Sequence, residues 1–171
     1  MASDTTLMPA AETAAPEPEL LTLRTQLVSA GHTKDLLAGT DHMTFHIHCY
    51  GPKGGENGLH AHVDEDHLFV VLQGEAQFYG RNGALPALKK NQALMLPRGA
   101  FYSFANETDE PLVMIRFGAM DKTAPGGRLD PQGMPIPGRG KQKGAKPPVF
   151  IEGKFFEEPL TDPAVALSQS R

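Results

Sequence analysis

Three histidines lie within eight positions, immediately before an apolar segment, in the stretch GLHAHVDEDHLFVVLQGEAQF from Gly58 to Phe78. On a strand, residues two apart share a face, so His60 and His62 project together. His67 follows across a predicted turn, where the returning chain can place it opposite this pair. Imidazole nitrogen is a ligand for several transition metals, and three on one side leave positions open for water or substrate. A bare His-x-His pair is more often a surface or hydrogen-bonded feature, so the third histidine favours a metal centre.

The elements that must position these histidines are predicted to be β-strands. The segments MTFHIHCY, HLFVVLQ, QALMLP, AFYSFAN and PLVMIRF are short and rich in strand-forming residues. Gly- and Pro-containing turns separate them at GPKGGENG, QGEA, YGRNG, LPRGA and ETDEP. Only residues 19–38 offer a helical alternative. Many short strands with regular turns predict an all-β sandwich or barrel.

The composition divides the chain into three parts. Residues 1–19 are rich in Ala, Pro, Glu and Thr, which predicts a mobile tail. Residues 20–120 carry the periodic apolar pattern of the barrel. Residues 121–148 contain six prolines, six glycines and six Lys or Arg, and are predicted to form an extended arm. The arm leads into VFIEGKFF in residues 149–171, a segment apolar enough to dock on the barrel or on a neighbouring subunit.

Charge and hydrophobicity restrict the classes of partner. A length of 171 residues with 40% hydrophobic content suits one globular domain with a core. The net charge of −4, and the lack of aromatic residues among the lysines of the arm, argue against nucleic acid. No apolar run reaches the roughly 20 residues of a membrane helix, and the N-terminus does not resemble a secretory signal. The single cysteine, Cys49, fits a reducing compartment. We therefore predict a cytoplasmic protein with no membrane partner.

The spacing around the histidines resembles the first motif of the cupin family. From Gly54 the chain runs through five residues to His60-Ala-His62, four more to His67, and six more to Gly74. The cupin motif has this spacing, with a glutamate where His67 stands.

A second stretch, about twenty residues further on, is similar to the second cupin motif. It runs from Pro97-Arg98-Gly99 through two residues to Tyr102, and through three more to Asn106. The usual histidine of this motif falls on Tyr102, and Asn91 stands at its leading glycine. The two motifs in this order imply a cupin-type double-stranded β-helix, or jelly-roll barrel, over about residues 42–118, with extended arms at both ends.

The resemblance implies a metal site made of His60, His62, His67 and Tyr102. His67 takes the place of the family's glutamate, and Tyr102 takes the place of its last histidine. A metal-bound phenol could ionise and serve as the fourth ligand, because a metal lowers its pKa. Alternatively, Tyr102 stays neutral beside the metal and orients a water or substrate. In either role Tyr102 is the candidate catalytic residue, as a ligand or proton donor.

Other polar residues are expected to lie outside the site. A solvated turn is predicted for residues 64–66, with Glu65 as a reserve ligand if the register slips. His46 and His48 are predicted to point outwards, because the alternate residues of the same strand are better core filler: Phe45, Ile47 and Cys49. Arg116 either anchors a substrate carboxylate or lies exposed at a sheet edge.

Three neutral histidines facing one ion suit Fe(II), which would bind a bidentate substrate and oxygen together. Zn, Ni, Mn and Cu accept overlapping donor sets. Cupins with three-histidine sites include dioxygenases, so the resemblance implies a mononuclear metal-dependent dioxygenase acting on a small enolic, diketone or phenolic substrate. The alternatives are a non-redox metal isomerase or lyase, and a non-catalytic small-molecule-binding protein. Cupins commonly dimerise, so a homodimer is expected.

Overall fold

The structure, a computed structural model, describes residues 17–54, 58–137 and 147–157. The described residues form strands and turns without a helix. The strands are β1 (Arg24–Ala30), β2 (His32–Gly39), β3 (Met43–Tyr50), β4 (Ala61–His62), β5 (Glu65–Gln73), β6 (Glu75–Gly80), β7 (Gly83–Ala84), β8 (Leu88–Lys89), β9 (Ala93–Leu96), β10 (Tyr102–Ala105), β11 (Leu112–Met120), β12 (Arg128–Leu129), β13 (Pro135–Ile136) and β14 (Val149–Glu157). The all-β prediction is confirmed, and strands replace the helical alternative in residues 19–38.

The larger sheet of the barrel has five antiparallel strands in the order β2-β3-β11-β5-β9. Strand β11 lies at its centre and pairs with β3 on one side and β5 on the other. A central strand has no free edge, and the two faces of β11 pack against different clusters of buried residues. This accounts for the nearly continuous apolar runs in PLVMIRF and HLFVVLQ.

The second wall of the barrel is a smaller sheet in the order β10-β6-β7, with β8 also paired to β6. Two backbone hydrogen bonds connect its β10 edge to the segment that leads into β4. The amide of His60 donates to the Tyr102 carbonyl at 3.1 Å, and the amide of Tyr102 donates to the His60 carbonyl at 2.9 Å. The segment that carries His60 and the strand that carries Tyr102 are therefore adjacent in the closed barrel.

Two buried apolar clusters stabilise the fold. The first fills the barrel interior and consists mainly of aromatic and large aliphatic residues: Tyr50, Phe69, Val71, Ala76, Phe78, Leu88, Leu96, Tyr102, Phe104, Leu112 and Met114. The second lies outside the barrel, between the five-stranded sheet and the β1–β14 pair: Val28, Ile47, Cys49, Val113 and Phe156. The strand order and the filled interior confirm the jelly-roll prediction.

Strand β3 is buried on both of its faces, which corrects one prediction. Ile47 and Cys49 do fill a core, but it is the outer one beneath β14. His48 faces the barrel interior and is 5% exposed. The prediction that His46 and His48 point outwards is wrong, because the β1–β14 pair covers the face that would otherwise meet solvent.

The segments outside the barrel pack against it where the structure describes them. Strand β14, which contains VFIEGKFF, pairs antiparallel with β1 of the same chain. Within the arm, β12 pairs with β4 and with β13. Most of the predicted tail (residues 1–16), part of the arm (138–146) and the last residues (158–171) lie outside the described residues.

Candidate metal centre

Three side chains with metal-ligating atoms converge where β4 meets β5. One ligand atom from each of His62, Glu65 and His67 lies within 4.8 Å of the other two. Glu65 Oε2 is 3.7 Å from His62 Nδ1 and 3.0 Å from His67 Nε2. The two imidazole rings are 4.3 Å apart between centroids. Two imidazoles and one carboxylate form a donor set that could hold a transition-metal ion.

The start of β5 brings Glu65 into this group. Because β5 begins at Glu65, the period of two puts Glu65, His67 and Phe69 on one face of the strand, towards the barrel interior. The side chain of Glu65 is only 14% exposed. The prediction of a solvated acidic turn is therefore wrong for this residue. Its position two residues before His67 is the signal that could have identified it.

Arg116 and Thr44 hold the carboxylate of Glu65 in place. Arg116 Nη2 donates to Glu65 Oε1 at 2.8 Å and to Thr44 Oγ1 at 3.2 Å. Burial would raise the pKa of Glu65, but a hydrogen bond with His67 and the Arg116 guanidinium outweigh it and lower the pKa to about 2. Glu65 is therefore an anion at neutral pH. Arg116 is 9% exposed, so the prediction of an exposed edge arginine is wrong.

Gly118 provides the space that Glu65 occupies. It lies on β11 between Thr44 of β3 and His67 of β5 in the strand register. A Cβ atom added at Gly118 would collide with Glu65 Oε1 and lie 2.9 Å from Arg116 Nη2. The absence of a side chain at this position therefore lets the carboxylate lie across β11.

His67 is almost completely buried, and its two ring nitrogens have different surroundings. Nδ1 is 3.0 Å from the hydroxyl of Tyr102, in a hydrogen bond. Nε2 faces the carboxylate, 3.0 Å from Glu65 Oε2. Burial lowers the pKa of His67, so the ring is neutral near pH 7. A neutral imidazole nitrogen and a carboxylate oxygen this close together could bind one cation between them.

His62 is also neutral, as a metal ligand must be. Burial and the nearby His67 and His60 rings lower its pKa to about 3. The donor set of two neutral imidazoles and one anion thus fits a divalent ion.

His60 lies beside the group of three. Its ring centroid is 5.1 Å from that of His62 and 4.6 Å from that of Tyr102. Nδ1 donates a hydrogen bond to the Gly58 carbonyl at 2.7 Å, which leaves Nε2 as the nitrogen with a free lone pair. A histidine held in this way is prepared to bind a metal through Nε2.

Tyr102 completes the cluster of sequence-predicted residues. It is 4% exposed, and burial raises the pKa of its phenol above the ordinary value, so the hydroxyl is protonated. Its ring lies 6.3 Å from His62 and 5.9 Å from His67 between centroids. The structure therefore brings all four predicted residues together. Their roles as ligands stay predictions.

Comparison with known proteins agrees with this architecture. A family model described as a cupin domain matches residues 46–117. The chain is 38% identical over 48 residues to YdbB, an uncharacterized protein of Bacillus subtilis (strain 168), a match that covers 28% of this chain and 42% of YdbB. The chain therefore covers less than half of this curated relative.

Two solved structures are similar to this chain. An uncharacterized conserved protein with a double-stranded β-helix domain from Klebsiella pneumoniae is 20% identical, with a TM-score of 0.50 over 58% of this chain and 83% of that one. The cupin domain of Schizosaccharomyces pombe Cnp3 is also 20% identical, with a TM-score of 0.49 over 54% of this chain and 63% of that one.

Fold and site together define a β-barrel protein with a cluster of histidines and a carboxylate inside the barrel. Residues 46–117 are similar to the cupin domain that the family model describes. No helix among the described residues is long and apolar enough to cross a membrane.

Proposed function

We propose that this protein binds one divalent transition-metal ion through His62, Glu65 and His67, and that it is a mononuclear iron dioxygenase. Its substrate would be a small enolic, diketone or phenolic molecule. The observation that carries the proposal is the set of two histidines and one carboxylate with atoms within 4.8 Å. Two histidines and one carboxylate, with other positions open, are the usual ligands of non-haem Fe(II) oxygenases.

The first requirement of this function is a stable set of ligands. Arg116 keeps Glu65 ionised and aimed at the histidines, through the 2.8 Å contact between Arg116 Nη2 and Glu65 Oε1. Tyr102 orients His67 through the hydrogen bond at Nδ1, so that Nε2 faces the ligand group. His60 stands ready as a further ligand. Direct ligation by Tyr102, predicted from the sequence, stays a prediction.

The second requirement is a dry interior of suitable shape. Bound iron would supply electrophilic activation of substrate and oxygen. Phe69, Phe104 and Met114 line the buried core of the barrel next to the polar cluster. Their apolar surfaces exclude water and favour a small, partly apolar substrate.

The metal site is tested by elemental analysis of protein purified without added metal. We expect about one iron per wild-type chain. Glu65→Gln keeps the shape of the side chain but removes its charge, and should lower metal affinity by at least about 10-fold. Asp64→Asn is the matched control, since it removes an acidic charge one residue away from the donor set, and should retain wild-type metal content. Equal metal content in all three proteins would refute the site.

The reaction is tested by oxygen uptake after addition of acetylacetone or catechol to the iron-loaded protein. The proposal predicts uptake that depends on iron and is lost in Glu65→Gln. Protein that holds only zinc or manganese and consumes no oxygen would instead support a non-redox isomerase or lyase. Metal-loaded protein that binds these compounds without turnover would support a binding protein.

A further inference from the structure

A second group of polar atoms lies inside the barrel, on the wall formed by the neighbouring strands β3 and β11 of the five-stranded sheet. Three buried nitrogens have no hydrogen-bond partner within the residues that the structure describes: His46 Nδ1, His48 Nε2 and Arg116 Nε. None of these three atoms belongs to the proposed metal ligands. His48 is 5% exposed and Arg116 is 9% exposed.

The three nitrogens belong to neighbouring positions on one wall. Arg116 of β11 is the register partner of His46 in β3, and His48 is the next residue of β3 on the same face. The rings of His46 and His48 are 6.0 Å apart between centroids. His48 Nδ1 is held by the Tyr50 hydroxyl at 2.8 Å, which orients the ring and leaves Nε2 as the atom without a partner.

Such atoms are costly to bury. A buried polar group without a hydrogen bond destabilises the folded state, and buried polar groups in folded proteins nearly always have a partner. Three neighbouring cases on one wall therefore indicate that a polar molecule belongs there.

The charges around the group indicate which kind of molecule. Arg116 is permanently cationic, and its Nη2 atom donates the hydrogen bonds to Glu65 and Thr44 described above. Lys34 of β2 is the register partner of His48 and adds a second cationic side chain at the exposed edge of the same wall. Histidine and arginine nitrogens can all donate to oxygen, and a carboxylate accepts several such bonds at once.

We infer that His46, His48 and Arg116 form a binding site for the carboxylate of a small organic acid that enters the barrel beside the metal centre. The inference deepens the proposed function, on which it rests, by naming the substrate class as an organic anion. The carboxylate would satisfy the three nitrogens, while the remainder of the molecule lies towards His62, Glu65 and His67.

Binding of matched acids and amides tests this site. Acetate, propionate and butyrate are titrated into the protein by isothermal calorimetry, each beside its primary amide, which has nearly the same shape and no charge. Both the metal-loaded and the metal-free full-length chain are used. We expect at least one acid to bind at least 10-fold more tightly than its amide.

Two variants test whether this preference depends on His46 and His48. His48→Asn keeps an amide near the Nδ1 position for Tyr50 but removes Nε2. His46→Leu removes both ring nitrogens of the second histidine. Each should reduce the acid-over-amide preference to less than 3-fold, with melting temperature and metal content close to wild type. His42→Asn, at an exposed histidine outside the barrel interior, is the matched control and should retain the full preference.

The outcomes separate this inference from the metal proposal. Lack of any acid preference in the wild type, or an unchanged preference in both variants, would overturn the carboxylate site even if one iron per chain is found. A preference that is lost in the variants supports the site even in a chain that holds no metal. If His46→Leu fails to fold, His48→Asn decides the question alone.

Discussion

Glu65 is connected to more of the candidate site than any other single side chain discussed above. Its two oxygens contact His62 and His67 on one side and Arg116 on the other. The carboxylate therefore links the proposed metal ligands to the wall that holds the proposed carboxylate site. A change in the position of this carboxylate should therefore affect both metal binding and the proposed carboxylate site.

Gly118→Ala tests this link without removing any polar group. The added methyl would overlap with Glu65 Oε1, so the carboxylate must move away from the histidines. We expect metal affinity to fall about 10-fold and stability to fall by about 1–3 kcal/mol from overpacking. Metal titration and chemical denaturation measure the two effects. Gly39→Ala is the control, because a Cβ there meets its nearest atom at an ordinary 3.6 Å; a variant at 118 that behaves like this control would contradict the argument.

Tyr102→Phe separates the two roles considered for the phenol. The hydrogen bond to His67 Nδ1 predicts that loss of the hydroxyl weakens metal binding about 10-fold. It also predicts that the wild-type ferric protein lacks the strong visible absorption of an iron-bound tyrosinate. Absorption spectroscopy of both proteins measures this. A visible band in the wild type that disappears in Tyr102→Phe would instead establish direct ligation.

Among the elements, β14 matters because it decides which face of β3 points inward. Strands β1 and β14 cover the outer face of the five-stranded sheet, and the cluster between them contains residues that would otherwise meet solvent: Val28, Ile47, Cys49, Val113 and Phe156. With that face covered, β3 can direct its histidines into the barrel. The position of β14 therefore contributes to the site, although β14 supplies no proposed ligand.

Phe156→Ala tests the contribution of β14 to stability. Phe156 is 5% exposed, and truncating a buried phenylalanine removes apolar contacts and leaves a cavity. We expect the free energy of unfolding to fall by about 3 kcal/mol, as measured by chemical denaturation. Phe155→Ala, at a neighbouring residue that is 37% exposed, should cost less than half as much. Equal losses in the two variants would mean that β14 does not bury Phe156 in solution.

The alternation of side chains along a strand does not by itself decide which face of the strand points inward. The alternation in MTFHIHCY correctly separated two sets of side chains, His46 and His48 in one and Ile47 and Cys49 in the other. It could not tell which set faces the barrel, because both faces of β3 are covered. In β5 the alternation is visible in the burial, because His67, Phe69 and Val71 are buried and the residues between them are half-buried.

At the scale of the whole molecule, the homodimer expected from the sequence is a proposal. Described residues on β14 expose apolar surface, with Val149 53% and Phe150 50% exposed. Sedimentation velocity over a dilution series should give twice the chain mass of 18.4 kDa. Phe150→Glu places a charge on that surface and should shift the equilibrium towards the monomer. A single species at the mass of one chain at all concentrations would contradict the proposal.

The sequence alone predicted the all-β class, the jelly-roll fold and the convergence of His60, His62, His67 and Tyr102. The all-β class follows from local periodicity, whereas the fold and the convergence were implied by the resemblance of the motif spacing to the two cupin motifs. Only the tertiary structure placed Glu65 between the histidines, buried Arg116 beside it and turned His46 and His48 inward. Those placements depend on which strands lie next to β3 and β5 and on the space left by Gly118, and such contacts join residues far apart in the chain.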